Sequence, residues 1–138
     1  MNATESAPID KSSFLDLDSL VKEFIVDGIQ FAVLFGSIAR GTNQKTSDID
    51  IGLFTGKNKN NSFKLQLKYS AKFEKMNDKR VDIVILDNAS LILAHKVIKD
   101  GTLIFENKNF PGSYKRYKEF VISRFPDFHY TIFSQLGK

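Results

Sequence analysis

The spacing of apolar and polar residues predicts that the chain begins with a helix and continues into two strands. Near the N-terminus, apolar residues recur every three or four positions, at Phe14, Leu17, Val21 and Phe24. That spacing places them on one face of a helix, which Ser13 and Asp16 would cap and Gly28 would end. Residues 29–35 form an apolar run short enough to be a buried strand. Residues 48–54 alternate in part, which predicts a second strand with one apolar face.

The remainder of the chain alternates helices and strands. One helix face carries four apolar residues, Leu65, Tyr69, Phe73 and Met76. Residues 80–86 are predicted to form a third strand, and a helix that starts at Asn88 or Ser90 should end at Asp100. A short strand over residues 102–105 and a helix over 113–125 complete the order α-β-β-α-β-α-β-α. This order predicts an α/β domain with one mixed sheet of about four strands and helices packed on it.

The pattern also suggests how the chain is organised. We expect a flexible segment over residues 1–12 and one domain over residues 13–125. Residues 126–138 form a tail rich in aromatic side chains, which could pack on its own domain or contact a partner. With 138 residues, 42% of them hydrophobic, the chain is long enough to bury a core.

Composition narrows the classes of function. Since the chain has no cysteine, it can form neither disulfides nor thiolate zinc sites. It has neither the run of roughly 18–20 apolar residues that spans a membrane nor a recognisable signal peptide, so we expect a cytoplasmic protein that makes no membrane contact. The net charge is +4, with lysines concentrated in residues 57–80. These lysines favour a solvated helix face, and the alternative is a surface that attracts nucleotide or an acidic partner.

Three aspartates are the candidate metal ligands. Asp48 and Asp50 lie two residues apart on a predicted strand, so both carboxylates point to the same face. Two such charges repel unless a cation lies between them, and Mg²⁺ prefers carboxylate and phosphate oxygens. Asp82 occupies an alternating position on another strand. Together the three could hold two metal ions about 3.5–4 Å apart. The alternative is that Asp48 caps a turn and the other two are solvent-exposed strand residues.

A Gly-Ser turn follows the first buried strand and suggests a phosphate site. Gly36 lets the backbone approach a ligand closely, and Ser37 could open a short helix whose free N–H groups bind an anion. Arg40 lies one helical turn further on and could supply a cation to the same phosphates. Taken singly, Gly36 and Ser37 also fit an ordinary β-turn, and Arg40 fits a surface arginine.

Taken together, these residues resemble a known family. The sequence reads G-S, ten residues, then D-x-D, with a third aspartate on a later strand. It is similar to the nucleotidyltransferase superfamily that includes DNA polymerase beta, poly(A) polymerase and kanamycin nucleotidyltransferase. The segments Phe35–Gly41 and Thr46–Ile51 look like the minimal nucleotidyltransferase (MNT) group. The resemblance implies the nucleotidyltransferase fold and covers roughly residues 24–105.

The resemblance also implies roles for individual residues. Gly36 and Ser37 would bind the β- and γ-phosphates of ATP, and Asp48 and Asp50 would bind two Mg²⁺ ions. Asp82 would bind the catalytic metal ion and help to deprotonate the acceptor hydroxyl. Arg40 lies in the A-R-G segment typical of the MNT group.

The MNT group includes antitoxins that pair with HEPN toxins, which are small helical ribonucleases. Such antitoxins are understood to transfer AMP from ATP to a toxin tyrosine. The resemblance therefore implies an adenylyltransferase antitoxin in a hetero-oligomer with a HEPN toxin. Three alternatives remain: a transferase acting on RNA or on a small molecule such as an aminoglycoside, a module that sequesters a toxin without catalysis, and a nucleic-acid binder. The last lacks an aromatic platform that could stack bases.

Overall fold

The structure is a computed structural model that describes residues 17–36, 49–57, 62–77 and 80–124. The predicted order of helices and strands is confirmed within these ranges. The strands are β1 (Phe31–Phe35), β2 (Ile49–Phe54), β3 (Val81–Ile85) and β4 (Thr102–Glu106). The helices are α1 (Asp18–Val26), α2 (Ser62–Asn77), α3 (Leu91–Asp100) and α4 (Ser113–Arg124). A 3-10 turn, Leu86–Asn88, joins β3 to α3.

The four strands form one mixed sheet in the order β3-β2-β1-β4. Strand β1 is antiparallel to both β2 and β4, whereas β2 is parallel to β3. The parallel pair requires a crossover connection, and α2 lies in that connection. This arrangement confirms the α/β class and the predicted sheet of about four strands.

Two apolar clusters cover opposite faces of the sheet. On the first face, Phe24 of α1 and Tyr69 and Phe73 of α2 pack against the odd-numbered residues of β2, which are fully buried. On the second face, α3 and α4 pack against β1, where the Phe31 ring contacts Tyr114 and Tyr117 at centroid distances of 5.0 and 5.4 Å. Since residues alternate along a strand, the even-numbered residues of β2 and β3 point to this second face.

Ion pairs link α1 to α2. Lys68 Nζ lies 2.7 Å from Asp27 and 3.3 Å from Glu23, and Lys72 Nζ lies 3.0 Å from Glu23. The buried Tyr69 donates a hydrogen bond of 2.6 Å to the same Asp27 carboxylate. Two of the lysines within residues 57–80 are therefore paired with acidic residues in and directly after α1.

The predicted ends of α3 agree with the structure. Ser90 is the N-cap of α3, and its hydroxyl accepts a hydrogen bond of 3.1 Å from the backbone N–H of Leu93. Asn88, the other candidate cap, lies in the 3-10 turn. The predicted capping box, the N-terminal segment 1–12 and the tail 126–138 lie outside the described residues. In the part of the chain that is described, no helix has the length and apolarity needed to cross a bilayer.

Candidate functional site

The turn after β1 brings the backbone of Gly36 against a carboxylate of β2. Gly36 has a φ of +82°, a left-handed conformation that side chains other than glycine adopt with strain. Its neighbour Phe35 pairs with Asp50 across the antiparallel strands. A Cβ atom at position 36 would overlap Oδ2 of Asp50. Only glycine therefore allows this close approach between the turn and the carboxylate.

Asp50 and Asp82 are direct neighbours on adjacent strands. The parallel register of β2 and β3 pairs Asp50 with Asp82, and neighbouring strands lie about 4.7–4.9 Å apart. Residues paired in this way point to the same face of the sheet, which here is the face covered further along by α3 and α4. The convergence of these two predicted metal ligands depends on a pairing of residues that are distant in sequence.

The Asp82 carboxylate is accessible and has a cationic neighbour. Oδ1 of Asp82 lies 3.6 Å from Nε of Arg80, and the two side chains are 46% and 74% exposed. Ion pairs at this exposure are weak, because water and salt screen them. The contact does not bury the carboxylate, and Asp82 can therefore bind a cation that approaches from solvent.

A groove of about 620 Å³ opens beside the two carboxylates. Its walls come from the β1 turn, from β2 and β3, and from one face each of α2 and α3. Lys96 of α3 is exposed and is the basic residue that lines this groove within the described ranges. The groove thus combines two carboxylates, a close backbone turn and an ammonium group, a set of groups that suits a metal-bound polyphosphate.

Helix α2 anchors the outer edge of the strand that carries Asp82. Gln66 donates a hydrogen bond of 2.7 Å to the carbonyl of Ile83, and Ser70 donates one of 3.1 Å to the carbonyl of Val81. The N–H of Val81 in turn donates to Glu74 at 3.2 Å. These side chains satisfy backbone groups that an edge strand would otherwise leave open to pairing. They also hold β3, and with it Asp82, against α2.

The structure brings together three of the predicted site residues, namely Gly36, Asp50 and Asp82. Ser37, Arg40 and Asp48 lie outside the described residues. Within residues 17–36, 49–57, 62–77 and 80–124, no cluster of three or more acidic or histidine side chains that could hold a metal ion is found. The two described carboxylates are thus a partial set of the ligands predicted from the sequence.

Among the residues that line the groove, the sequence analysis did not identify Phe63, Leu67 and Lys96. The first two had a signal, because they are apolar but lie off the stripe formed by Leu65 and Tyr69. Lys96 had none, since the sequence does not determine which face of α3 points toward the carboxylates.

Comparison with known proteins links the chain to nucleotidyltransferases. The family model "Polymerase beta, Nucleotidyltransferase" matches residues 18–110, more than half of the chain. The chain is also similar to the protein adenylyltransferase MntA of Shewanella oneidensis, with 34% identity over 73 residues, or 53% of this chain. That match spans 51% of MntA, about half the length of the relative.

Two solved structures share the fold. A chain of the crystal structure of a toxin-antitoxin with AMP-PNP aligns with a TM-score of 0.67 at 22% identity, covering 90% of this chain and all of that one. A chain of the complex between the tri-AMPylated HEPN toxin of Shewanella oneidensis and its MNT antitoxin aligns with a TM-score of 0.54 at 19% identity, covering 94% of this chain and 100% of that one. Identities this low support similarity of fold alone.

Proposed function

Because the chain belongs to the polymerase beta nucleotidyltransferase family, we propose that it is an antitoxin that transfers AMP from ATP to a tyrosine of a HEPN ribonuclease toxin and so neutralises it. The observation that carries the proposal is the register that places Asp50 beside Asp82 in one groove, with Gly36 against the Asp50 carboxylate. The similarity of the chain to the protein adenylyltransferase MntA supports adenylyl transfer as the reaction.

The similar structures support the choice of partner and of nucleotide donor. One similar structure is a complex of a HEPN toxin that carries AMP groups, and another contains AMP-PNP, an analogue of ATP. By analogy, this chain forms a hetero-oligomer with a HEPN toxin and uses ATP as the donor. We place this pair in the cytoplasm, where ATP and the RNA substrate of a ribonuclease are both available.

The donor set fits magnesium. Asp50 and Asp82 offer hard oxygen ligands from neighbouring strands, and Asp82 is exposed enough to meet an incoming ion. With Asp48 as the third ligand, the three carboxylates would hold two Mg²⁺ ions. Such ions neutralise charge on the attacking and leaving oxygens of a phosphoryl displacement.

The residues of the chain position the reactants. Gly36 and Ser37 bind the β- and γ-phosphates through the backbone and the Ser37 hydroxyl, and Arg40 adds positive charge to them. Asp82 faces the acceptor and takes up the proton of its hydroxyl. Most of the rate enhancement then comes from orientation and from charge neutralisation rather than from a covalent enzyme intermediate.

A label-transfer experiment tests the proposal. The protein is incubated with ATP labelled at the α-phosphate, Mg²⁺ and a lysate of its own host. We expect label on a small protein, and a loss of at least about 100-fold in the Asp50→Asn and Asp82→Asn variants. Asp18→Asn is the matched control, because Asp18 is an exposed aspartate in the first turn of α1.

The other outcomes identify the alternatives. Label on RNA or on a small molecule, with no labelled protein, would indicate a transferase for those acceptors. Toxin neutralisation that survives in both aspartate variants would indicate a binding module that acts by sequestration. Either result would refute the proposed reaction.

A further inference from the structure

One wall of the groove beside Asp82 is apolar and exposed. Phe63 and Leu67 of α2 are 70% and 56% exposed, and both line the groove that contains Asp50 and Asp82. Leu93 of α3 lines it as well. Large apolar side chains are normally buried because contact with water is unfavourable. A cluster of them next to carboxylates is therefore a candidate binding surface.

The position of this wall follows from the geometry of α2. Phe63, Gln66, Leu67 and Ser70 are spaced three and four residues apart and share one helix face. The two polar members donate hydrogen bonds to carbonyls of β3, at 2.7 and 3.1 Å. This face of α2 is thereby held against the edge of β3. The two apolar members consequently border the strand that presents Asp82 to the groove.

We propose that Phe63 and Leu67 form the acceptor subsite and receive the ring of a tyrosine presented by the partner protein. This inference rests on the proposed function and names the residues that select its acceptor. A phenol has a hydroxyl at one end of an apolar ring, and the groove has carboxylates beside an apolar wall. The ring packs on Phe63 and Leu67 while its hydroxyl faces Asp82.

Other acceptors fit this wall less well. The hydroxyl of a serine or threonine could reach Asp82 but would leave the apolar wall uncovered by any ring. A sugar or an aminoglycoside needs hydrogen-bond partners for many polar groups, which Phe63 and Leu67 do not supply, and burying such groups unpaired is unfavourable. The apolar wall therefore favours a phenolic acceptor.

The reaction at this subsite needs only ATP and the phenolic acceptor as reactants. The phenolic oxygen forms a bond to the α-phosphorus of ATP, and the bond from that phosphorus to the bridging oxygen of the β-phosphate breaks. Pyrophosphate leaves with the electron pair of that bond. The phenolic proton passes to Asp82 and then to solvent. The product is an AMP-tyrosine phosphodiester.

The experiment compares two small acceptors, N-acetyltyrosinamide and N-acetylserinamide, using the full chain, Mg²⁺ and labelled ATP. We expect a kcat/KM at least about tenfold higher for the tyrosine compound, since burial of an aromatic side chain is worth more than one factor of ten. The double variant Phe63→Ala/Leu67→Ala should lower the kcat/KM for the tyrosine compound about tenfold. Its dissociation constant for AMP-PNP should stay within about twofold of the unmodified chain.

The control variant is Ile122→Ala, which removes a half-exposed apolar side chain from α4 outside the groove. It should leave both kcat/KM and AMP-PNP binding unchanged. Equal kcat/KM for the two acceptors, or a double variant with unchanged kcat/KM, would overturn the acceptor subsite. So would a failure to modify the tyrosine compound by a chain that labels a protein. A chain that labels no acceptor of any kind instead refutes the proposed function itself.

Discussion

Replacing Gly36 with alanine should reduce the transfer activity of the protein much more than its stability. The residue has a φ of +82°, and an added Cβ would overlap Oδ2 of Asp50. Holding an alanine in this left-handed conformation costs about 1–2 kcal/mol. The overlap adds a second effect, because the Asp50 carboxylate or the turn must move. We therefore expect a modest loss of stability together with a large loss of transfer activity.

The magnitude of the second effect follows from positioning. A displacement of about 1 Å at a reacting centre can reduce a rate about 100-fold, and relieving the overlap requires movement on that scale. The Gly36→Ala variant should thus lose about 1–2 kcal/mol of unfolding free energy in urea denaturation and about 100-fold in label transfer. Far-UV circular dichroism should remain that of the unmodified chain.

Gly112→Ala provides the matched control. Gly112 has a φ of +78°, so alanine meets the same backbone strain, but its Cβ would lie 3.2 Å from the flexible end of Arg116 and not near a carboxylate. This variant should lose a similar unfolding free energy and keep its activity. An activity loss in Gly36→Ala no larger than that in Gly112→Ala would refute a catalytic requirement for the close approach of the turn to Asp50.

Three further predictions concern stability. Burial raises the pKa of Asp27, but hydrogen bonds from Lys68 and a buried tyrosine outweigh it, so the folded-state pKa lies below its ordinary value of 3.8. The ionised Asp27 therefore stabilises the folded state above pH 3.8, and this stabilisation is lost as the pH falls through the lowered pKa. In urea denaturation at pH 7 and below pH 3.8, the unfolding free energy of Asp27→Asn should change less with pH than that of the unmodified chain. Ser90→Ala should lower the unfolding free energy by about 1 kcal/mol, because it removes the cap of α3, and a loss as small as that of an exposed Ser123→Ala control would contradict this. Asp87→Ala removes three hydrogen bonds from the loop after β2 and should cost about 2–3 kcal/mol in the same assay; an unchanged denaturation midpoint would show that water replaces the carboxylate.

Much of the candidate site could be predicted because its residue types are constrained locally. The period of two along residues 48–54 places Asp50 on the opposite face from Ile49 and Ile51, and the structure confirms that these isoleucines are fully buried. The glycine that follows a buried strand indicated a sharp turn, and Gly36 makes one with a positive φ. These signals involve neighbours in sequence, for which backbone geometry is a sufficient guide.

By itself, the sequence predicted the order of the elements, the burial of β1 and the apolar face of β2, and it named the candidate metal ligands. Only the tertiary structure decided that Asp50 pairs with Asp82, which β3 achieves by lying parallel to β2 after the α2 crossover. It also decided that Phe63 and Lys96 face the same groove. The physical reason is that strand pairing and helix docking depend on contacts between residues far apart in sequence, whereas helical and strand periodicity is local.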